Sequence, residues 1–300
     1  MKTGHHMQRP GSALFLMALS VFLQAVMGAC VKLLGENYPA VELVFARNLF
    51  ALLPLALLLR MDGVASLQTS NWSGHAMRAV VGLLATAAFF VSLRMLPFAE
   101  AVILGFASPL FTALLSWPML RERVTTEAWL AIVIGFAGVV ISLPPGTLHA
   151  SLGAAIALAG AACLAINRIT IRQLSGTESA TAITVHFTVI CTLLTAICLP
   201  FDYRIPTARD AMVMVAIGIA GGVSQFCLTL AHCRATPALV GPLQYTSLVW
   251  AALFGMIFWG EMPTVNGLLG AALVIVSGLL LLNPPWIATL RLRPAWWARH

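Results

Sequence analysis

The 300-residue chain is 60% hydrophobic and only 9% charged, against roughly 25% charged in a soluble domain. That balance excludes a soluble globular fold and points to an integral membrane protein. The formal charge of +7 would suit a nucleic-acid binder in a soluble chain, but in a membrane protein the placement of the basic residues reports orientation instead.

Taken in chain order, the apolar runs give ten expected helical spans, at about 11 to 34, 40 to 60, 75 to 96, 98 to 120, 126 to 144, 150 to 172, 179 to 200, 211 to 231, 236 to 259 and 264 to 283. The runs are continuous and do not alternate, so they read as helices and not as strands of a barrel. With both termini in the cytoplasm, Lys32, Arg94, Arg204 and Arg209 fall outside and Arg47 lies within a span. The remaining basic residues fall inside, Arg168 and Arg172 at the foot of span six among them. This positive-inside bias sets the expected orientation in a bacterial inner membrane.

The basic N-terminus followed by an apolar run resembles a signal peptide. The length of that run and the spans behind it favour a retained first helix. Span one carries Ser20, Gln24, Gly28 and Lys32 on one stripe, and span two carries Arg47 about two turns from its start. Three readings of Arg47 stand side by side: snorkelling to the external interface, pairing with Glu42 or Glu100, and recognition of a substrate carboxylate. Span four aligns Glu100, Ser108, Thr112 and Ser116 and contains Pro109. Span seven bears a stripe of Thr184, Thr188, Thr192 and Thr195, which backbone bonding explains, and His186 lies off that stripe. Span eight offers Gly218, Gly222, Gln225, Thr229 and His232; span nine offers Gly241, Gln244, Tyr245 and Ser247 around Pro242.

Ser, Thr and Gly on such faces serve helix packing, whereas large amides at mid-span depth favour a cavity lining. The candidate substrate-binding set is therefore Gln24, Arg47, Gln225, Gln244 and Tyr245, with Glu100 and His186 as candidate proton-coupling groups. The six cysteines, Cys30, Cys163, Cys191, Cys198, Cys227 and Cys233, lack metal-ligand or paired-loop spacing. They read as packing residues. No metal and no cofactor are expected.

A shift of 139 positions aligns Ala99 with Ala238, Ser108 with Ser247, Glu122 with Glu261, Thr125 with Thr264 and Pro145 with Pro284. This reads as a duplication with five spans in each half, residues 1–145 and 146–300. Five is odd, so the second copy enters the membrane from the opposite side and the halves form an inverted repeat. Arg121 and Arg123 in the first turn, absent from the second, follow from that inversion. Thr125 and Thr264 are expected to cap the next helix, with Glu122 and Glu261 near its positive end.

The stretches "RERVTTEAWLAIVIGFAGVVI" and "LRMLPFAEAVILGFASPLFTALL", with the C-terminal echo of the latter, resemble the EamA type of the drug/metabolite transporter superfamily over about residues 11 to 283. The resemblance includes the arginines of "VFARNLF" and "HAMRAVVG". Within that family the chain is similar to S-adenosylmethionine uptake carriers. It departs from them in span nine, where their basic-aromatic pair and following acid become "LQYTS", with Gln244, Tyr245 and no acid. The resemblance implies an all-α membrane fold of ten helices, termini inside, and a central cavity between the halves.

The expected function is a secondary transporter of a small polar or zwitterionic metabolite, S-adenosylmethionine or an amino-acid-like solute, with the lipid bilayer and the solute as partners and a homodimer left open. No Walker motif supports direct ATP use. The alternative, an intramembrane enzyme acting on a lipid or peptide, lacks an H-E-x-x-H motif or paired intramembrane aspartates. Asp62, Asp202 and Asp210 all fall in loops, and Ser108 with His186 or His232 is its one weak pairing. A passive pore lacks the charge rings or filter it would need.

Overall fold

The computed structural model describes residues 10–63, 67–69, 71–120, 126–142, 148–174, 177–201, 203–234 and 237–282. The first-half turn holding Glu122 and Thr125, the expected boundary at 145, Pro284 and both termini lie outside the described residues. Every regular element among the described residues is helical; besides a 3-10 turn at Leu199–Phe201 and a π-helical turn at Gly255–Trp259 there are twelve α-helices. In chain order these are α1 (Pro10–Leu34), α2 (Ala40–Asp62), α3 (Trp72–Met95), α4 (Phe98–Gly105), α5 (Ala107–Leu120), α6 (Thr126–Ile141), α7 (Leu148–Leu174), α8 (Ala180–Cys198), α9 (Ala208–Arg234), α10 (Pro237–Gln244), α11 (Thr246–Phe254) and α12 (Val265–Leu282).

Seven helical stretches among the described residues are long and apolar enough to cross a membrane: Gly11–Leu34, Trp72–Met95, Phe98–Leu115, Leu152–Leu174, Thr181–Cys198, Ala208–Leu228 and Val240–Trp259. Each falls on an expected span. Shorter apolar helices cover Ala128–Ile141 and Val265–Leu281, and α2 buries Glu42, Arg47 and Asn48 along its length.

Spans four and nine are each broken once. Span four breaks at Phe106, between α4 and α5, where the Phe106 N–H reaches both Val102 and Ile103 carbonyls. Pro109 removes the N–H that would have bonded the Gly105 carbonyl and crowds that oxygen. Span nine breaks at Tyr245, where N–H bonds run only three residues back, from Tyr245 to Pro242 and from Leu248 to Tyr245. The 139-residue register that aligns Ala99 with Ala238 also places Phe106 on Tyr245, so the two breaks are equivalent. Pro54 and Pro118, by contrast, lie within helices that continue past them.

Small residues set the helix seams. Gly218 and Gly222 of α9 lie against Ala46, Phe50, Ala51 and Pro54 of α2, and Ser20 of α1 bonds the Ser224 carbonyl at 2.9 Å. On α8, Thr188, Thr192 and Thr195 return their hydroxyls to carbonyls four residues back, at 3.0, 2.7 and 2.7 Å. That stripe is packing, as its spacing implies. Between α6 and α12 the backbones touch: a Cβ on Gly138 would lie 2.8 Å from the Gly270 carbonyl oxygen, and one on Gly270 2.6 Å from Ser142 Cβ.

Two ends of the bundle are defined by α3 and α7, which run antiparallel. Gly74 at the start of α3 lies against Leu174 at the end of α7, and Gly153 near the start of α7 lies against Met95 at the end of α3. At the latter end the loop after α1 is tied to the start of α9, where Tyr38 donates to Asp210 at 2.7 Å. That bond holds the Tyr38 phenol above its ordinary range.

The α6–α12 seam has no space for a side chain, so Gly270→Val is expected to destabilise the protein by about 1–3 kcal/mol, the range for overpacking. Thermal unfolding in detergent measures this; an unchanged midpoint would show that the backbones do not meet there.

Candidate functional site

The span-one stripe resolves into four different environments. Ser20 packs on Ser224, Gly28 lies under Phe98, and Lys32 reaches the far end of the bundle. Gln24 is exposed, although Ala13, Met17, Ser20, Val21, Met27 and Val31 are all buried and lie within about 60° of it at the helical pitch. The outward side of α1, marked by exposed Phe15 and Leu33, is opposite. Gln24 therefore opens onto an interior cleft and not onto lipid.

Helix α7 repeats this pattern. Arg168 is exposed on the side that buries Ala154, Ala157, Ala161 and Ala165, while exposed Leu152 marks the other side. Its guanidinium is within electrostatic reach of the Tyr245 phenol. Next to it, Asn167 donates to the Arg78 carbonyl at 3.1 Å and fixes the height of this turn against α3. Composition alone placed Arg168 among the orientation-setting charges at the cytoplasmic edge, and its side chain instead faces the cleft.

Helix α1 packs on α3, α9, α10 and α11, whereas α7 packs on α3, α4 and α5. The two broken helices close the space between them. Phe106 and Tyr245 stack with ring centroids 4.9 Å apart and planes inclined by 24°, one aromatic from each break. The Tyr245 hydroxyl occupies the place that a side chain on Gly278 would need.

Arg47 is buried. It does not pair with Glu42 or Glu100 among the described residues, and it does not reach the external interface. Its Nη1 donates to Asn48 Oδ1 at 2.8 Å, and its Nε lies 3.3 Å from the Cβ position of Gly221, beside Met27. Gly221 and Gln225 are one turn apart on α9, as are Met27 and Gln24 on α1. Arg47 thus sits one turn from both amides. Glu42 instead accepts the Arg204 N–H at 3.1 Å. Arg78 on α3 donates from Nη1 to the Ile183 carbonyl at 2.7 Å and lies 4.3 Å from the Phe187 ring centroid. Arg47 and Arg78 are within electrostatic reach of one another and of Cys191.

At the end where α3 finishes, Lys32 Nζ is shared between Glu261 Oε1 and the Leu96 carbonyl, 2.9 Å away, and sits 5.3 Å from the Trp259 ring centroid. Glu261 Oε2 accepts the Phe98 N–H at 2.7 Å. Glu261 thus caps α4 in the first half, which corrects its expected role at the head of its own following helix; Thr264 does cap α12, through Gly267 N at 3.0 Å. The turn is made by Gly260 at φ 64°, where a side chain would be strained. Glu100 is buried within reach of Glu261 and Lys32. A pocket of about 420 Å³ beside these acids is walled by apolar residues, with Val249, Leu253 and Leu268 outward. It is a seam between α4, α11 and α12, distinct from the polar cleft.

His186 lies at the opposite end, its ring centroid 4.7 Å from that of His75 and 5.1 Å from that of Trp72. His75 is fully buried with Glu178 Oε2 3.8 Å from Nε2, and Thr69 donates to the other Glu178 oxygen. The structure thus places Gln24, Arg47 and Gln225 within about a helical turn of one another along α1, α2 and α9, sets Tyr245 against Phe106 and Gly278, and leaves Glu100 and His186 at separate ends. No group of three or more His, Cys, Asp or Glu capable of holding a metal occurs among the described residues.

Comparison with known proteins matches the chain twice to the EamA-like transporter family, over residues 11–143 and 151–283. The chain belongs to this family. It is 31% identical over 272 residues to the pseudopaline exporter CntI of Pseudomonas aeruginosa (strain UCBPP-PA14), covering 90% of this chain and 95% of that protein. It is 28% identical to a riboflavin transporter of Rhizobium johnstonii, over 82% of each chain, and 24% identical to an S-adenosylmethionine uptake transporter of Rickettsia prowazekii, over 88% of this chain and 90% of the relative. A solved crystal structure, 17% identical, superposes with a TM-score of 0.66 over 94% of this chain and 99% of its own, which establishes the likeness of fold. The protein is a multi-pass membrane transporter of small molecules and not an enzyme.

Gly278→Ala is expected to expel the Tyr245 ring from its seat and break the stack with Phe106, lowering transport at least tenfold while the protein still inserts. Wild-type transport in that variant, with insertion checked by protease protection, would show that the stack is not part of the working site.

Proposed function

We propose that the protein is a secondary carrier in which two inverted five-helix halves, 1–145 and 146–300, form ten spans with both termini in the cytoplasm. It moves a small polar or zwitterionic metabolite by alternating access across a bacterial inner membrane. The observation that carries this reading is the exposure of Gln24 and Arg168 on otherwise buried helix faces, in a bundle tied shut at one end by Lys32 and Glu261. Exposed polar residues on inward helix faces, with an ion pair closing one end, fit a gated carrier better than a continuous pore.

The named substrates of the relatives, pseudopaline, riboflavin and S-adenosylmethionine, support a small organic solute with polar groups. In this reading Gln24, Arg47, Gln225, Gln244 and Tyr245 line the substrate path. Glu100 lies against the latch, where a proton would alter its charge balance, and His186 packs on His75 at the other end as the second candidate coupling group. The basic residues outside the spans favour assigning the latched end to the outside.

Alternating access is tested with Gln24→Cys in a cysteine-free background. A membrane-impermeant thiol reagent should label it from the cytoplasmic side only, and adding Glu261→Ala, which releases both Lys32 and the start of α4, should open it to the outer side. Equal labelling from both sides without the second change would sink the gated-carrier reading. In proteoliposome counterflow, Arg47→Ala and Gln24→Ala should each lower uptake at least tenfold with insertion intact; unchanged kinetics would remove both from the path.

A further inference from the structure

We infer that the cleft is selective for organic anions, with Arg168 as the residue that holds the substrate's carboxylate or phosphate. This rests on the carrier reading and narrows it, because a small polar solute alone leaves the sign of its charge open.

The cleft and its surroundings hold cations without counter-charges. Among the described residues, Arg168 makes no hydrogen bond and no ion pair, and it is exposed on the otherwise buried side of α7. Arg47 and Arg78 bond only to neutral groups, the Asn48 amide and the Ile183 carbonyl, and the Nε of each has no partner. Glu36 is exposed in the loop after α1, and five further carboxylates are engaged elsewhere. Glu261 and Glu100 belong to the Lys32 latch, Glu42 holds the Arg204 N–H, Asp210 accepts from Tyr38, and Glu178 sits with His75 and Thr69.

An ionised group at membrane depth is retained when it lines a water-filled space or meets a partner, and it marks a solute path. A guanidinium presents a planar fork that matches a carboxylate or phosphate in two parallel bonds. Arg168 has that fork free and faces the cleft. Within electrostatic reach of it is the Tyr245 phenol, whose ring is stacked on Phe106, while Gln24 is exposed on the inward side of α1. Arg47 and Arg78 lie deeper, within reach of one another and bonded only to neutral groups. A solute with net positive charge, such as S-adenosylmethionine, meets an unpaired like charge at Arg168, whereas a carboxylate or a phosphate ester pairs with it.

Binding is measured by thermal unfolding of the purified full-length protein in neutral detergent. The probes are citrate, succinate and glycerol 3-phosphate, with S-adenosylmethionine and lysine as cations, all at matched ionic strength. At least one anion should raise Tm saturably. Arg168→Gln, which leaves no protein group unpaired, should weaken its apparent Kd at least tenfold, and Arg168→Lys should retain part of the effect. Citrate and succinate acting without glycerol 3-phosphate identify a carboxylate site; the reverse identifies a phosphate site. No anion effect beyond the ionic-strength control overturns the inference, as does an effect unchanged in Arg168→Gln or saturable binding of a cation indifferent to that substitution. Counterflow separates the two levels. An anion that binds through Arg168 but never accumulates removes the carrier reading and leaves the site standing, and a cation accumulating with an Arg168-independent KM does the opposite.

Discussion

A guanidinium cannot rest against hydrocarbon, and much of this structure follows from where four basic side chains are allowed to go. Each costs roughly 2.5–3.5 kcal/mol at mid-membrane on insertion scales, so each must find protein or water. Lys32 finds a carboxylate and a carbonyl. Arg78 finds a carbonyl and an aromatic face. Arg47 finds an amide in a space that Gly221 keeps open. Arg168 has no protein partner among the described residues and faces the cleft, which makes water or solute its natural company.

The same constraint explains why the broken helices meet where they do. A break in a spanning helix frees backbone groups, and these are tolerated within protein or beside a water-filled cavity, not against lipid. Both breaks fall in the interior at equivalent positions of the two halves, Phe106 and Tyr245, and their rings stack on one another. Pro109 lies three residues after the first break and Pro242 three before the second. The two halves thus reach one geometry by different placement of the proline, so a strict search for aligned prolines would have missed the equivalence.

Periodicity made much of the fold legible, because apolar runs and Pro/Gly punctuation are local and strong. The helices begin and end near the expected limits, the threonine stripe behaves as its spacing implies, and Gln24 was marked by being a large amide on a small-residue face. Arg168 was not legible as a site. Near the foot of a span, an arginine facing the cytoplasm and one facing a cleft have the same sequence context; only the burial of the alanines at 154, 157, 161 and 165 around it distinguishes them. From sequence Arg78 reads only as an orientation charge and as part of a family motif, and nothing local marks His75, since its closeness to His186 joins helices far apart in sequence. Glu261 was misread for a related reason. A glutamate just ahead of a helix suggests that helix as its partner, and nothing local reveals that the N-terminus of α4, contributed by the other half, is closer.

That cross-half cap gives the latch a mechanical consequence. Glu261 holds the N–H of Phe98, the first residue of α4, and α4 is eight residues long with Phe106 at its far end. At 1.5 Å per residue it is a stiff rod of about 12 Å. A motion that withdraws Glu261 from both Lys32 and Phe98 lets go of the head of this rod, and Pro109 loosens the joint at its foot by removing a backbone bond there. In the proposed cycle, opening the latched end therefore shifts Phe106, and with it the wall against which Tyr245 rests, without a change travelling through any longer helix. The residue that closes the far end and the ring that shapes the cleft are coupled through one short helix. On this reading the break in span four serves as a hinge between gate and site.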